Sequence, residues 1–314
     1  MARNWTKALA GAGAIAGGLV AWTAIAARTN EALVPADGSF CDIDGARLHY
    51  TDEGSGPVLV LIHGLMGQMR NFSYAVTEHL VRDYRVINVD RPGWGYSTLA
   101  PGAERPGIPQ QASMIAALLD RLAIDKAVIV GHSLGGAVAL AMALDHPQKV
   151  SGLALIAALT QPQDTPPEAF KGLMVPQPLS GVIAWTIAIP MATLTGAVAA
   201  QAVFAPVPLP LDFTTRGGGA LGIRPKSFRA GAFELMSAKA EMEALVPRYG
   251  ELDMPVSMLF ARDDNVLKPE VHGEVTKPQI ARAELTLTEG GHMLPVTRPD
   301  ETIAFIRRAA ARLA

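Results

Sequence analysis

Four short stretches of this chain are predominantly apolar and carry β-branched residues: Pro57–Ile62, which is apolar throughout, and Tyr84–Val89, Lys126–Val130 and Val150–Ile156. A strand reads this way only when both of its faces are covered, as in a parallel sheet. Parallel neighbours need crossover connections, and the intervening segments have the pattern to supply them. Asn71–Val81 and Gln110–Leu122 carry apolar residues at helical spacing, and Leu134–Leu144 is dense in Ala and Leu. Strand and helix in alternation predict an α/β domain with a doubly wound, mostly parallel sheet. Ala46–Thr51 alternates in polarity and reads as a half-exposed strand ahead of it.

The alternation stops after Ile156. Residues 161–250 have a different character: ten of the 23 prolines fall between Pro162 and Pro225, and no residue from Leu173 to Leu211 is charged. The α/β pattern then returns, with strands at Pro255–Phe260 and Ala283–Thr288 and a closing amphipathic helix at Glu301–Leu313. The expected organisation is therefore a core over 40–160 and 251–314, interrupted by a helical cap insertion over 161–250. Pro190 is expected to break the charge-free run into short helices. These either bury their apolar faces on the core, or line an apolar acyl pocket and dip into a membrane interface.

Ahead of the core, Ala8–Ala27 is free of charge, with Arg3 and Lys7 before it and Arg28 after it. That length approaches the roughly 20 residues a helix needs to cross a bilayer. Residues 1–30 are read as a membrane anchor that leaves the catalytic part exoplasmic. The alternatives are a cleaved signal segment, giving a secreted or periplasmic protein, and a helix packed on the core. A formal net charge of −2 offers no basic surface for nucleic acid. The single cysteine, Cys41, forbids an internal disulfide, and the seven histidines show no metal-ligand spacing. Neither a metal nor a cofactor is expected.

The sharpest chemical signal is Gly131-His132-Ser133-Leu134-Gly135-Gly136, after one predicted strand and before a helix. In that context a serine sits on a tight turn that small neighbours permit, with its hydroxyl raised above the sheet. Serine needs a base. His292, in the Gly290-Gly291-His292-Met293-Leu294-Pro295 loop after the last predicted strand, lies at the carboxyl end of the sheet, where open-sheet sites gather. His49, His79, His146 and His272 sit in predicted strands, helices or polar stretches and fit worse. The base needs a carboxylate partner, and Ala261-Arg262-Asp263-Asp264-Asn265 offers two. The loop His63-Gly64-Leu65-Met66-Gly67 can turn main-chain amides toward an oxyanion. Leu65 and Leu134 are the expected donors, with Met66 as the fallback. His63 is expected to brace its loop, and His132 to fill the elbow position beside Ser133.

These motifs, with Asp90-Arg-Pro-Gly-Trp-Gly-Tyr-Ser97, resemble in kind and order those of the α/β-hydrolase superfamily, from about Phe40 to the C-terminus. The resemblance implies a triad of Ser133, Asp264 and His292. The family's acid ends a G-x-x-D motif; here Ala261 stands for the glycine, and the register falls on Asp264 rather than Asp263. Similar dehalogenases and epoxide hydrolases have aspartate at the elbow, so serine here implies acyl transfer. The expected activity is hydrolysis of a small-molecule, lipophilic carboxylic ester through an acyl-enzyme. Hydrolases of carbon–carbon bonds in ring-fission diketones share these motifs and are the alternative enzyme. A catalytically silent member acting as a binding protein is the other.

Overall fold

A computed structural model describes residues 2–312, with side chains at residue 11 and from residue 13 onward. The expected closing helix thus loses Leu313, which lies outside the described residues, as do the side chains of Arg3 and Lys7. The order begins with one long helix, α1 (Ala2–Leu33), then strands β1 (Ser39–Ile43), β2 (Ala46–Glu53), β3 (Val58–Ile62), β4 (Arg85–Val89) and β5 (Thr98–Leu99). Helix α2 (Ile108–Arg121), β6 (Ala127–His132), α3 (Leu134–Asp145) and β7 (Val150–Ile156) complete the first half. After the helical segment described below come β8 (Val256–Ala261) and β9 (Ala283–Thr288). The nine strands among the described residues form one sheet, in the order β1-β2-β4-β3-β6-β7-β8-β9, with β5 on β2. From β4 to β9 every pairing is parallel, while β1 and β2 pair antiparallel.

The period of two explains the two-sided core. Val60, Ile62 and Ile129 point to the face covered by α2 and α3. Leu59, Leu61, Val128 and Val130 point to the other, packed on Phe72 and on the final helix. Helix α3 is buried from Leu134 to Leu144, which its alanines allow by letting the backbone approach the sheet. Truncating a fully buried leucine there, such as Leu140, would cost about 2–5 kcal/mol.

Three local differences from the sequence expectations have physical causes. Asn71–Val81 forms two short helical turns, Arg70–Ser73 and Thr77–Leu80, with Phe72, Val76 and Leu80 in the core. Strands β1 and β5 escaped notice because they lie at the sheet's edge, where partial exposure removes the continuous apolar signal. Pro190 does not break the cap: Gln177–Phe204 is one continuous helix of 28 residues, here α4. A wider π-type turn at Ala184–Ala188 comes just before Pro190 and accommodates the lost amide. Helix α5 (Pro225–Leu245) follows α4, and α6 (Pro299–Ala311) closes the described chain.

Helix α1 is docked by its C-terminal third. Thr23 and Val34 are fully buried, and Ala26 packs with Leu173, Ala184, Ile189 and Phe228 of the cap. Asn30 donates to the Ile223 carbonyl, and Glu31 pairs with buried Arg224 at 3.0 Å.

Candidate active site

Ser133 links β6 to α3 at φ 54°, ψ −125°, a conformation that L-residues rarely hold and that throws its side chain clear of the sheet. The turn closes only because its neighbours lack Cβ atoms. One on Gly135 would stand 2.3 Å from the Ile62 carbonyl, so the elbow rests directly on the end of β3. The Ser133 amide donates to the Ile156 carbonyl of β7, tying the turn to its other neighbour as well.

The three residues singled out as nucleophile, base and acid meet. Ser133 Oγ lies 2.9 Å from His292 Nε2, and His292 Nδ1 lies 2.8 Å from Asp264 Oδ2. All three are at least 93% buried by relative exposure. The other carboxylate oxygen of Asp264 accepts the amides of Val266 and Leu267 at 2.8 and 2.9 Å. With Asp264 ionised, Nδ1 must donate to it, which leaves the Nε2 lone pair to accept from the serine hydroxyl. Asp263 is exposed and points away, its amide bonded to the Gly290 carbonyl. This arrangement can pull the hydroxyl proton off Ser133 as the oxygen attacks an electrophilic carbon.

The loop after β3 folds against the same hydroxyl. A Cβ on Gly64 would come within 2.7 Å of the Ser133 Cβ. A turn closed by Gly67 N–H to the Gly64 carbonyl, with Met66 at φ 57°, carries Leu65 past Ser133. Leu134 is the first residue of α3, so its amide has no partner within the helix. Leu65 and Leu134 line one cavity with Ser133.

The two bracing histidines are neutral. Burial, with the Arg91 guanidinium beside it, pushes His63 down to about 3. Burial and the neighbouring His292 push His132 down to about 3 as well. His132 Nε2 donates to the His292 carbonyl at 3.0 Å, and the two rings lie 5.0 Å apart, which fixes the position of His292. Burial likewise pushes His272 down to about 4; it faces Thr160 under the site rather than solvent, contrary to its polar sequence context.

Two supporting residues were not found by sequence reasoning. Arg91, fully buried, donates to the carbonyls of His63 and Gly64 at 2.9 and 3.0 Å. Glu234 of α5 holds the same guanidinium at 2.7 and 3.1 Å and accepts from Trp94 Nε1 at 2.7 Å. The cap thereby braces the loop that carries Leu65. Arg91 lies within the glycine-rich segment after β4, and Glu234 is an acid flanked by apolar residues; those were the available signals. The cap also braces the base: a Cβ on Gly291 would meet the Ala205 carbonyl, and Phe204 packs on Met293.

Two cavities reach Ser133. The larger, about 630 Å³, is walled by α4 and also reaches His292. Among the described residues it is lined by no Asp, Glu, Lys or Arg. The smaller, about 200 Å³, lies under α5. No cluster of three or more His, Cys, Asp or Glu side chains that could hold a metal occurs among the described residues.

Comparison with known proteins bears on the fold and the family. Over 115 residues the chain is 40% identical to a 2-hydroxy-6-oxononadienedioate/2-hydroxy-6-oxononatrienedioate hydrolase of Burkholderia vietnamiensis, covering 35% of this chain and 39% of that protein. The chain spans less than two fifths of the length of the curated relatives it matches. Among solved structures it resembles a thermophilic esterase from Thermogutta terrifontis, with TM-score 0.67 and 22% identity over 88% of this chain and 99% of that one. It also resembles a membrane phospholipase A described as a bacterial virulence factor, with TM-score 0.69 and 22% identity over 100% and 99%. The profile of the alpha/beta hydrolase fold matches residues 57–299, and the chain belongs to that family of hydrolases.

Proposed function

We propose that this enzyme cleaves a lipophilic carboxylic ester through an acyl-enzyme on Ser133. The observation that carries the reading is the hydrogen-bonded chain from Asp264 through His292 to Ser133, opening onto a large cavity without charged walls. Ser133 Oγ attacks the ester carbonyl while His292 Nε2 takes its proton. The amides of Leu65 and Leu134 hold the oxyanion, a contribution worth about 3–4 kcal/mol per donor in comparable sites. The carbonyl re-forms, the alcohol leaves with the proton from His292, and water repeats the sequence to release the acid. Asp264 holds the imidazole tautomer and stabilises the imidazolium. The test is labelling with a fluorophosphonate together with a generic ester assay. One modified residue, Ser133, and loss of both signals in Ser133→Ala are expected. Label on Ser97, or turnover surviving in Ser133→Ala, sinks the assignment.

The similarity to a carbon–carbon bond hydrolase makes that activity the second reading. A dicarboxylate substrate would need cationic partners, and the cavity beside His292 is lined by none among the described residues. This favours a neutral ester. Turnover of a ring-fission dicarboxylate faster than of any neutral ester would reverse the preference.

The membrane reading of the N-terminal segment extends to the cap. Helix α1 exposes Ile15, Val20, Trp22 and Ile25, and α4, packed against it, exposes Val182, Trp185, Leu194 and Val198. Helix α4 is long and apolar enough to cross a bilayer. Crossing there would pull it off α1 and α5 and put Asp264 and His292 across the membrane from Ser133. We therefore read α1 as an anchor and α4 as lying against the interface, with the catalytic part exoplasmic. Residues 1–30 fused to a soluble reporter should carry it to the membrane fraction. A freely soluble mature form beginning near Ala27 would show a cleaved signal instead.

A further inference from the structure

The two cavities meet at Ser133 but have different company. Both are lined by Ser133, Leu65 and Phe170. Only the smaller includes Leu134, and only the larger includes His292 and His132. An ester on Ser133 has two arms, and the chemistry tells them apart. The leaving oxygen must take its proton from His292 Nε2 as the carbon–oxygen bond breaks, so the alcohol arm extends along the wall that contains His292. The acyl arm stays attached to Ser133 Oγ and must leave the His292 side free for the hydrolytic water. Resting on the ester-hydrolase reading above, we infer that the 630 Å³ cavity under α4 takes the alcohol and the 200 Å³ cavity under α5 takes the acyl group.

The walls set the substrate class. The acyl side is lined by Leu159, Leu235, Met242 and Leu267 together with the exposed Lys239–Asp164 ion pair at 2.6 Å. A short, uncharged acyl chain fits there and a long one runs into the helix. The alcohol side is three times larger and is walled by Ile183, Ile187, Met191 and Val203, with Asn71 and three threonines among its uncharged polar lining. It suits a long or bulky apolar alcohol and disfavours a charged headgroup. The preferred substrate is thus a short-chain acyl ester of a lipophilic alcohol. Helix α4, from the charge-free run that the sequence suggested as an acyl-pocket lining, walls the leaving-group side instead, and the acyl side falls to α5.

Two ester series on the full-length protein test this. In acetates of straight-chain alcohols, kcat/KM should rise by about two- to fourfold per added methylene up to roughly ten carbons. In ethyl esters of straight-chain acids it should peak at about four carbons and then fall. Ala238→Trp, which fills the small cavity, should shorten the acyl limit and leave the alcohol series rising. Ala200→Trp, on α4, should flatten the alcohol series and leave the acyl limit where it was. Should either tryptophan prevent folding, Leu235→Ala makes the converse test: the acyl limit moves to longer chains and the alcohol slope stays. A rising acyl series with a flat alcohol series, or two series rising alike, overturns the assignment while leaving the ester-hydrolase reading intact. Failure to hydrolyse any ester in either series overturns both.

Discussion

Two histidine–aspartate pairs lie buried in this molecule, and their inner halves are nearly identical. His292 Nδ1 stands 2.8 Å from Asp264, and His49 Nδ1 stands 2.7 Å from Asp90. The outer nitrogens differ. His292 Nε2 faces the Ser133 hydroxyl, which can give a proton. His49 Nε2 faces the Asp37 carbonyl, which can only accept one. Donation from both nitrogens requires the imidazolium form, and this pair of acceptors favours it. Its pKa agrees: burial opposes the charge, but the hydrogen bond and field of Asp90 outweigh burial and raise it. Asp90 is depressed despite its burial, because His49 and the Met69 amide hold the carboxylate. One pair is a neutral acceptor poised beside a nucleophile. The other is a charge-favouring pair that ties β2 to the end of β4 through Asp90 and to the segment after α1 through the Asp37 carbonyl. The third partner, not the pair, decides which is a site.

The largest effect should separate the pairs by turnover. Asp264→Asn should lower kcat by about 10⁴, as amide replacement does in a serine-protease triad. Asp263→Asn should not, since that side chain is exposed and turned away. Asp90→Asn should leave the kcat of the folded enzyme unchanged. A folded Asp90→Asn enzyme with the defect of Asp264→Asn would abolish the distinction.

Stability should separate them in the opposite sense. Asp90→Asn leaves a buried imidazolium uncompensated, and breaking such a pair costs about 3–5 kcal/mol. Asp264→Asn leaves a neutral histidine and should cost clearly less. Urea unfolding of the two variants compares them directly; equal losses would mean that His49 is neutral after all.

How much of this was legible beforehand follows from distance along the chain and from exposure. The Ser133 elbow announces itself in six consecutive residues, and His292 follows a strand whose place in the pattern is clear. Asp264 over Asp263 needed the register of a family motif, because two adjacent acids in a loop look alike until one turns inward. The His49–Asp90 pair spans 41 residues with no shared motif, and its meaning lies in a backbone carbonyl at Asp37 that no side-chain pattern can reveal. Glu234 joins Arg91 across 143 residues and shows only as an acid among apolar neighbours. The continuity of α4 through Pro190 depends on a local change of helical winding, for which composition carries no signal.

The pH dependence of stability sharpens the contrast between the neutral and charged histidines. His63 and His132 are held near 3 and His272 near 4 in the folded state, all below their unfolded value. Their stabilisation is therefore present above about pH 6.5 and is lost as pH falls toward those values, by up to about 1.4 kcal/mol per pH unit for each. His49 has the opposite sign. Its folded pKa is raised, so its contribution is full below about 6.5 and is lost as pH rises through the folded value. Melting curves should show a steep loss between about pH 6 and 4 and a shallower one on the alkaline side. His49→Gln should remove only the alkaline decline. If it removes the acid decline instead, the signs are exchanged and the charge assignment fails.

The smallest expected effect asks whether the ion pair and the segment it holds are separate from the site. Tyr96 stacks edge-on against His49 at 5.5 Å, its amide donates to Asp90, and its hydroxyl donates to the Val34 carbonyl at 2.6 Å. Tyr96→Phe keeps the ring and the amide and removes only the hydroxyl. What is lost is one hydroxyl donor, set between the Val34 carbonyl and the Glu31 carbonyl at 3.2 Å, worth about 1 kcal/mol. That small loss is local, because His49, Asp90 and Arg70 still hold the segment through Asp37 and Pro35. It should appear as faster proteolysis between Val34 and Gly38, with little change in the global melting temperature. Turnover should not change, since nothing in this cluster touches Ser133, Asp264 or His292. The alkaline decline due to His49 should also stay where it is, because the imidazolium keeps both of its acceptors. A drop in kcat without a loss of folded protein would show that the α1 joint is coupled to the nucleophile through Asp90 and the loop it supports, and the two pairs would then be parts of one machine rather than two.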